Sequence, residues 1–183
     1  MTTVNDLARE FLAQKRLAVA GISGTRDVPG NHIYQLLRQR GHEMYAISPH
    51  LDTFDGDPCY PNLAALPVVP DGVVIVTRPE ITLDVVKQCV ETGVTRVWMH
   101  DMRGTLPKFA KESGQTVTSV SDEAVRLCYE HGITVIPGGC PRQFDGDFGH
   151  KCMRWMLQVM GAMEVPAVAE ASEAVQQEKV PTA

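Results

Sequence analysis

The sequence predicts an α/β domain with a mainly parallel, five-stranded sheet and helices on both faces. Three amphipathic segments end at a glycine, at Gly41, Gly93 and Gly132, and each is followed at once by a run of β-forming residues. Such repeats are typical of βαβ units, which require parallel strands. The run at Gly72–Thr77 is almost entirely Val and Ile, as expected for a strand buried on both faces. These observations favour a doubly wound, Rossmann-like arrangement.

The individual elements follow from hydrophobic periodicity and from helix-terminus signals. Asn5 is expected to cap the first helix, and Ser119 with Asp122 resembles a capping box for a later one. The strands are predicted at Leu17–Gly21, Met44–Ser48, Gly72–Thr77, Thr95–Met99 and Ile133–Ile136. The helices are predicted at 5–14, 31–41, 80–92, 122–131 and 149–160, the last with Met153, Met156, Leu157 and Met160 on its apolar side.

Two segments interrupt this alternation. Pro49–Asp71 is rich in Pro, Asp and Gly and is expected to hold at most a short helical turn near Asn62–Leu66. His100–Thr118 contains two glycines and a proline and is expected to be an irregular insertion with a short helix at 108–112. Neither segment is predicted to add a strand to the sheet.

The composition limits the possible partners. The 183 residues, 44% hydrophobic and 21% charged, fit one domain, which we expect at 1–161, followed by a flexible tail at 162–183. A net charge of −5 without a basic run argues against nucleic acid. No apolar segment approaches the ~20 residues of a membrane span. Without an apolar targeting segment, and with five scattered cysteines expected to be mostly reduced thiols, the chain is predicted to be cytoplasmic.

A glycine-containing loop after the first strand is the main candidate for ligand binding. Its glycines, Gly21, Gly24 and Gly30, allow backbone N–H groups to approach a phosphate, and the helix that follows presents its positive end to the same anion. The spacing is not the dinucleotide fingerprint G-x-G-x-x-G, so the loop alone is weak evidence. In a doubly wound sheet the other strand ends at this edge would complete the site.

The end of the second strand helps to distinguish the nucleotide. An NAD enzyme usually places an acid there, whereas this chain has Ser48 and His50, with Asp52 close by. Arg26 and Arg78 add phosphate donors, although each alone is equally compatible with a solvent-exposed surface charge. Together these residues favour a ribose that carries an extra phosphate, as in coenzyme A (CoA) or NADP.

Several motifs, in order along the chain, resemble the small stand-alone CoA-binding proteins, which are related to the CoA-binding domain of the succinyl-CoA synthetase α-subunit. The likeness covers roughly residues 15–161. The motifs are V-A-G-I-S-G-T-R (19–26), A-I-S-P-H (46–50), C-Y-P-N-L (59–63), V-W-M-H (97–100), S-V-S-D-E-A-V-R-L-C (119–128), I-P-G-G-C-P (136–141) and D-F-G-H-K-C-M-R-W (147–155).

The resemblance implies CoA as the ligand and assigns parts of the site to it. The loop Ser23-Gly24-Thr25-Arg26, following Gly21, would wrap the pyrophosphate. Pro49 and His50 would lie close to the phosphorylated ribose. The adenine or pantetheine arm would be bordered by Thr77, Arg78, Pro79, Met99 and His100. The synthetase subunit has a lysine where this chain has His50, and its catalytic histidine lies in a second domain that we do not expect here, so synthetase activity is not implied.

Two residues are weak candidates for catalysis. Cys140 lies in a Gly-Gly-Cys-Pro loop, where a helix amino terminus would lower its pKa, or it is simply a small residue in a tight turn. His100 has the chemistry of a general acid or base without an assigned partner. His150 and Cys152 are too close in sequence to share a helix face as metal ligands, and Asp147 is expected to cap the last helix instead.

Three hypotheses therefore remain open at this stage. The favoured one is a module that binds CoA or an acyl-CoA without turnover. The others are an NAD(P)-dependent oxidoreductase or nucleotide sensor, and a thiol-dependent acyl-transfer or redox enzyme that uses Cys140. The apolar last helix also makes a homo-oligomer an open expectation. The sequence does not identify the acyl group or the pathway.

Overall fold

The centre of the molecule is a sheet of seven strands, two more than predicted. The computed structural model describes residues 3–102, 118–146, 148–161 and 163. The strands are β1 Arg16–Ala20, β2 Glu43–Ile47, β3 Thr53–Phe54, β4 Asp57–Tyr60, β5 Gly72–Ile75, β6 Arg96–Met99 and β7 Thr134–Pro137. Their order across the sheet is β3-β4-β2-β1-β5-β6-β7, and every neighbouring pair is parallel except β3 with β4.

All five predicted strands are present, but the prediction that 49–71 contributes none was wrong. There β3 and β4 form a short hairpin whose turn places Asp55 at φ 52° and Gly56 at φ 87°. The Tyr34 hydroxyl donates to Asp57 at 2.8 Å, and Arg38 donates to the Asp55 carboxylate at 3.0 Å. These long-range contacts stabilise a hairpin too short to be recognised from its own sequence. The predicted helical turn is confirmed as a 3₁₀ helix at Leu63–Ala65.

Six α-helices are described, and most lie where the periodicity predicts them. They are α1 Val4–Leu12, α2 Pro29–Gln39, α3 Pro79–Thr92, α4 Asp122–Glu130, α5 Arg142–Asp145 and α6 Phe148–Val159. The short α5 was not predicted. The glycines at 41, 93 and 132 all have positive φ after the ends of α2, α3 and α4, which confirms them as helix stops.

Both predicted amino-terminal caps are two residues away from the observed ones. Thr3, rather than Asn5, caps α1 through a capping box with Asp6. Ser121, rather than Ser119, caps α4 by accepting from the Ala124 N–H. Ser119 is instead buried, and its N–H donates to the His100 carbonyl at 2.8 Å. Where several cap-forming residues occur together, sequence spacing does not decide which of them adopts the extended backbone of the cap.

Helices cover both faces of the sheet, as predicted. On one face α1, α2 and α6 pack against Leu17 and Val19, and on the other α3 and α4 pack against Ala18 and Ala20. The alternation within β1 therefore divides the core into two layers. Trp98 is fully buried in the first layer, where its ring makes edge contacts with Phe11 and Phe144.

The apolar residues of α6 are distributed differently from the prediction. Leu157 is buried and Met153 packs against the core, but Met156 and Met160 are about half exposed. Only part of the apolar surface of α6 therefore packs against the core. The helix expected at 108–112, the Asp147 cap and the tail at 162–183, apart from residue 163, lie outside the described residues. Among the described helices, none is long and apolar enough to cross a bilayer.

Candidate functional site

The loops that follow the carboxyl ends of the parallel strands lie along one edge of the sheet. β1 sits between β2 and β5, and the chain leaves β1 toward β2 on one side and later returns to β5 on the other. This reversal creates a crevice outside the ends of β1 and β5, which is where doubly wound proteins bind ligands. The predicted residues at 21–26, 49–50 and 77–78 lie in the loops at this edge, and Pro79 is the first residue of α3.

The bottom of the crevice requires glycine at two positions. Gly21 follows β1 with φ +104°, and a Cβ added there would lie 2.3 Å from the Val76 carbonyl oxygen. A Cβ on Gly30, in the first turn of α2, would lie 2.7 Å from the Gly21 carbonyl oxygen. The backbone is therefore closely packed where the end of β1, the start of α2 and the loop after β5 come together. A residue with a side chain at position 21 or 30 would not fit there.

Asn31 fixes the shape of the glycine loop. Its side-chain amide donates to the carbonyl oxygens of Ser23 at 2.8 Å and Arg26 at 3.3 Å, while its Oδ1 accepts from the Ser23 N–H at 3.0 Å. The Ser23 hydroxyl accepts from the N–H groups of Thr25 and Arg26 at 3.4 and 3.1 Å. The sequence prediction treated Asn31 only as a helix start and missed this role, although an Asn directly after the loop was the available signal.

These bonds determine which backbone N–H groups remain for an anion. Within the described residues, the N–H groups of Gly24 and Gly30 are among those without a protein acceptor, whereas those of Ser23, Thr25 and Arg26 are used inside the loop. Gly24 also lies against the loop after β2, since a Cβ there would be 2.8 Å from Leu51 Cδ2. The two loops are therefore in contact at the mouth of the crevice.

Two helices begin at this edge without a side-chain cap. α2 starts at Pro29 after Val28, and α3 starts at Pro79 after Arg78, and in neither case does a side chain accept from the first turn. Proline at the first position leaves one fewer N–H to satisfy, but the positive end of each helix dipole still faces the crevice edge. Such paired helix starts favour a bound anion.

The positively charged and polar candidates are accessible. Arg26, His50 and Arg78 are all exposed, and the two arginines form no ion pair within the residues that the structure describes. Thr77 is half-buried, and its hydroxyl is 3.0 Å from that of the buried Thr82, which donates to the Ser119 carbonyl at 2.9 Å. The loop after β5 is thereby held to the chain that precedes α4.

Met99 and His100 were predicted to border the ligand, but both side chains are buried below this edge. Met99 is inaccessible and His100 is 1% exposed, with its Nε2 lacking a hydrogen-bond partner among the described residues. Burial lowers the pKa of His100 to about 4, so the imidazole is neutral at pH 7. A neutral, enclosed ring is a poor general acid for a ligand at the surface.

The burial of His100 predicts how stability depends on pH. The unfolded chain protonates this histidine near its ordinary pKa of 6.5, whereas the folded protein does so only near 4. The unfolded state therefore binds more protons, and stability should fall by about 2–3 kcal/mol as the pH drops from 6.5 to 4. We expect His100→Gln to remove most of this loss when urea unfolding is measured across that range. An unchanged slope in the variant would show that other groups cause it.

Cys140 does not have the environment that the catalytic hypothesis requires. It is 1% exposed, and burial raises its pKa to about 11, opposite to the expected direction, although Arg142 partly offsets the effect. Its N–H donates to Gln143 Oε1 at 3.0 Å, and the Gln143 amide donates to the Met102 carbonyl at 3.0 Å. These contacts fit a residue that packs in a tight loop. In the described residues no cluster of His, Cys, Asp and Glu could hold a metal ion.

A surface depression elsewhere contains none of the predicted residues. It lies between α1, α5 and α6 and is lined by Arg9, Leu12, Ala13, Phe144 and Arg154. The Arg154 guanidinium sits 5.0 Å from the centre of the Phe144 ring. This arrangement is explained as packing of a surface arginine on an aromatic ring, and the crevice at the strand ends remains the candidate site.

Comparison with protein families decides the family to which this chain belongs. The model of the CoA binding domain family matches residues 15–143, which include all seven described strands and the crevice loops. The chain belongs to the CoA binding domain family. The resemblance inferred from the sequence motifs is thereby confirmed.

Two relatives of this chain are acetate–CoA ligases of the ADP-forming type, both from Archaeoglobus fulgidus. Form II is 25% identical over 135 residues, which is 73% of this chain and 19% of the ligase. Form I is 27% identical over 128 residues, which is 69% of this chain and 18% of the ligase. The chain therefore spans about a fifth of the length of each ligase.

Solved structures show the same fold. A hypothetical protein from Pyrococcus horikoshii OT3 aligns with a TM-score of 0.65 at 22% identity, covering 79% of this chain and 92% of its own. The dinucleotide forming acetyl-coenzyme A synthetase 1 of Ca. Korarchaeum cryptofilum aligns with a TM-score of 0.54 at 25% identity, covering 71% of this chain and 27% of its own. The fold thus occurs both in short chains and as part of larger synthetases.

Proposed function

We propose that this protein binds CoA or an acyl-CoA through the glycine loop after β1 and acts as a binding module. The observation that carries the proposal is the close approach of the backbone at Gly21, Gly30 and Val76. There is no room for a Cβ atom on either glycine. Such close backbone contact is what a pyrophosphate-binding crevice needs at a topological switch point. Membership of the CoA binding domain family supports CoA as the ligand.

In this proposal the pyrophosphate lies against the glycine loop. The N–H groups of Gly24 and Gly30 donate to it, and the dipole at the start of α2 attracts its charge. Arg26, which is exposed next to these groups, supplies a charge-assisted bond. Asn31 orients the loop without contacting the ligand.

The phosphorylated ribose lies closer to the loop after β2. Pro49 and His50 are exposed there, and no carboxylate ends the strand to bond a free ribose diol. Thr77, Arg78 and Pro79 border the adenine or pantetheine arm from the β5 side. Met99 and His100 support this floor from below rather than contacting the ligand, because both are buried.

Binding without catalysis is favoured by the state of the two catalytic candidates. At neutral pH the Cys140 thiol is protonated and enclosed, so it lacks the thiolate that acyl transfer or disulfide exchange requires. The His100 imidazole is equally enclosed. All five cysteines are unpaired, which supports a reducing compartment such as the cytoplasm.

The assignment of the two phosphate positions is tested by comparing CoA with dephospho-CoA, which lacks the ribose phosphate. Arg26→Ala should weaken both ligands about equally, by roughly 10-fold, since it acts on the shared pyrophosphate. His50→Ala should weaken CoA while leaving dephospho-CoA nearly unchanged. Isothermal titration calorimetry measures all four affinities.

Matched controls are available outside the crevice loops. Arg9 is an exposed arginine on α1, and His131 is an exposed histidine that follows α4 at the other edge of the sheet. Arg9→Ala and His131→Ala should bind both ligands as the unmodified protein does. If Arg26→Ala and His50→Ala also leave both affinities unchanged, the proposed placement of CoA is wrong.

A further inference from the structure

One face of α6 exposes a continuous apolar stripe. The exposed fractions are 85% for Phe148, 67% for Trp155, 49% for Met156, 70% for Val159 and 52% for Met160. The last four positions recur at three- and four-residue intervals and Phe148 lies two turns before Trp155, so all five share one side of the helix. Cys152, the exposed cysteine of the five, lies on the same side. We refer to these six residues as the α6 stripe.

The binding site does not account for the α6 stripe. The stripe lies beyond residues 15–143, the part of the chain that the family model matches. The helix is anchored to the core through two other residues, Leu157 and Met153. Large aromatic and aliphatic side chains exposed together in this way mark an interaction surface rather than scattered surface residues.

We propose that the α6 stripe is the interface of a homodimer in which the same face of two copies packs together. The five large side chains expose on the order of 700 Å² of apolar surface per chain, close to the ~800 Å² that each partner buries in a standard interface. A two-fold arrangement makes the patch self-complementary, which requires no other protein. The exposed Lys151 and Gln158 border the stripe and form a polar rim.

A second copy fits this surface better than a bilayer does. The chain carries a net charge of −5, which opposes approach to an anionic membrane surface. Lys151 is the one basic residue at the border of the stripe, whereas helices that lie on membranes usually carry several on their polar face. The stripe contains no charged residue that a second copy would leave buried and unpaired.

Sedimentation equilibrium of the full chain tests the dimer. The 20.1 kDa chain should show a concentration-dependent shift toward twice that mass. Trp155→Glu should raise the dimer dissociation constant by at least ~30-fold, as expected for a central aromatic residue. Val69→Glu is the matched control, because Val69 is 48% exposed but lies outside α6, and it should dimerise normally. Circular dichroism and CoA titration verify that both variants are folded.

A spin label on Cys152 distinguishes a second copy from other occupants. The other four cysteines are buried, so labelling is selective. The label should be mobile at low protein concentration and immobilised as the dimer forms, and it should stay mobile in Trp155→Glu. Immobilisation at every concentration would mean that the chain covers its own stripe, and binding only to anionic vesicles would indicate a membrane. Either result, or a dimer that Trp155→Glu leaves intact, would overturn the proposal.

Discussion

Replacing Gly21 with alanine is expected to lower the free energy of unfolding by about 3 kcal/mol or more, the largest effect on stability that we predict from the site. Two costs combine at this position. The backbone has φ +104°, where a Cβ is strained, and that Cβ would lie 2.3 Å from the Val76 carbonyl oxygen. Because the obstructing atom belongs to the backbone, β1 and the loop after β5 must separate to relieve it.

Gly41→Ala is the control for the conformational part of this cost. Gly41 has a similar φ of +91°, but a Cβ there would meet nothing within 4 Å. It should cost only about 1–2 kcal/mol, from backbone strain alone. The free energies of unfolding of both variants, measured in urea, separate the cost of the Cβ contact with Val76 from the cost of the strained backbone. Equal losses in the two variants would mean that the close approach at the crevice is absent.

Replacing Asn31 with alanine should reduce CoA affinity by about 10- to 100-fold while leaving the fold intact. The side chain makes three hydrogen bonds to the glycine loop, two to carbonyl oxygens and one from the Ser23 N–H. Without them the loop samples conformations in which the Gly24 and Arg26 donors no longer converge. The loss of affinity then reflects the cost of ordering the loop on binding.

Asn62 provides a matched comparison for this effect. It is also an asparagine that accepts from a backbone N–H, that of Ala65 at 3.0 Å, but it caps the short 3₁₀ helix after β4. Asn62→Ala should leave CoA affinity unchanged by calorimetry. If Asn31→Ala binds CoA as tightly as Asn62→Ala, then either the glycine loop does not need the Asn31 hydrogen bonds to keep its shape, or the loop does not bind the ligand.

The sequence was sufficient for the parallel sheet because its signals are local and repeated. Each helix that ends at Gly41, Gly93 or Gly132 leads directly into a strand. Glycine adopts the positive φ found at these positions without steric cost, so the residue type alone indicates the helix end. The β3–β4 hairpin escaped prediction because its strands are only two and four residues long. They are stabilised by Tyr34 and Arg38, which are far away in sequence.

The same contrast between local sequence signals and long-range packing applies to the candidate site. The strand-end rule predicted loop residues that the structure brings to one edge of the sheet, since that rule depends only on topology. It did not separate exposed positions such as His50 from buried ones such as His100, because burial depends on how the layers pack. For the same reason the sequence left two interpretations of Cys140 open, and only its burial, which raises the pKa of the thiol, favours the small residue in a tight turn. The role of Asn31 depends on side-chain geometry that spacing alone does not reveal.

The central claim is that the crevice at the ends of β1 and β5 holds CoA, and ligand competition tests it most directly. Native mass spectrometry of freshly purified protein, followed by calorimetry with CoA, acetyl-CoA, NADP and NAD, compares the alternatives in one experiment. We expect CoA or acetyl-CoA to bind with one site per chain and neither nicotinamide cofactor to bind. Binding of NADP or NAD without CoA would contradict the claim and favour an oxidoreductase or a nucleotide sensor.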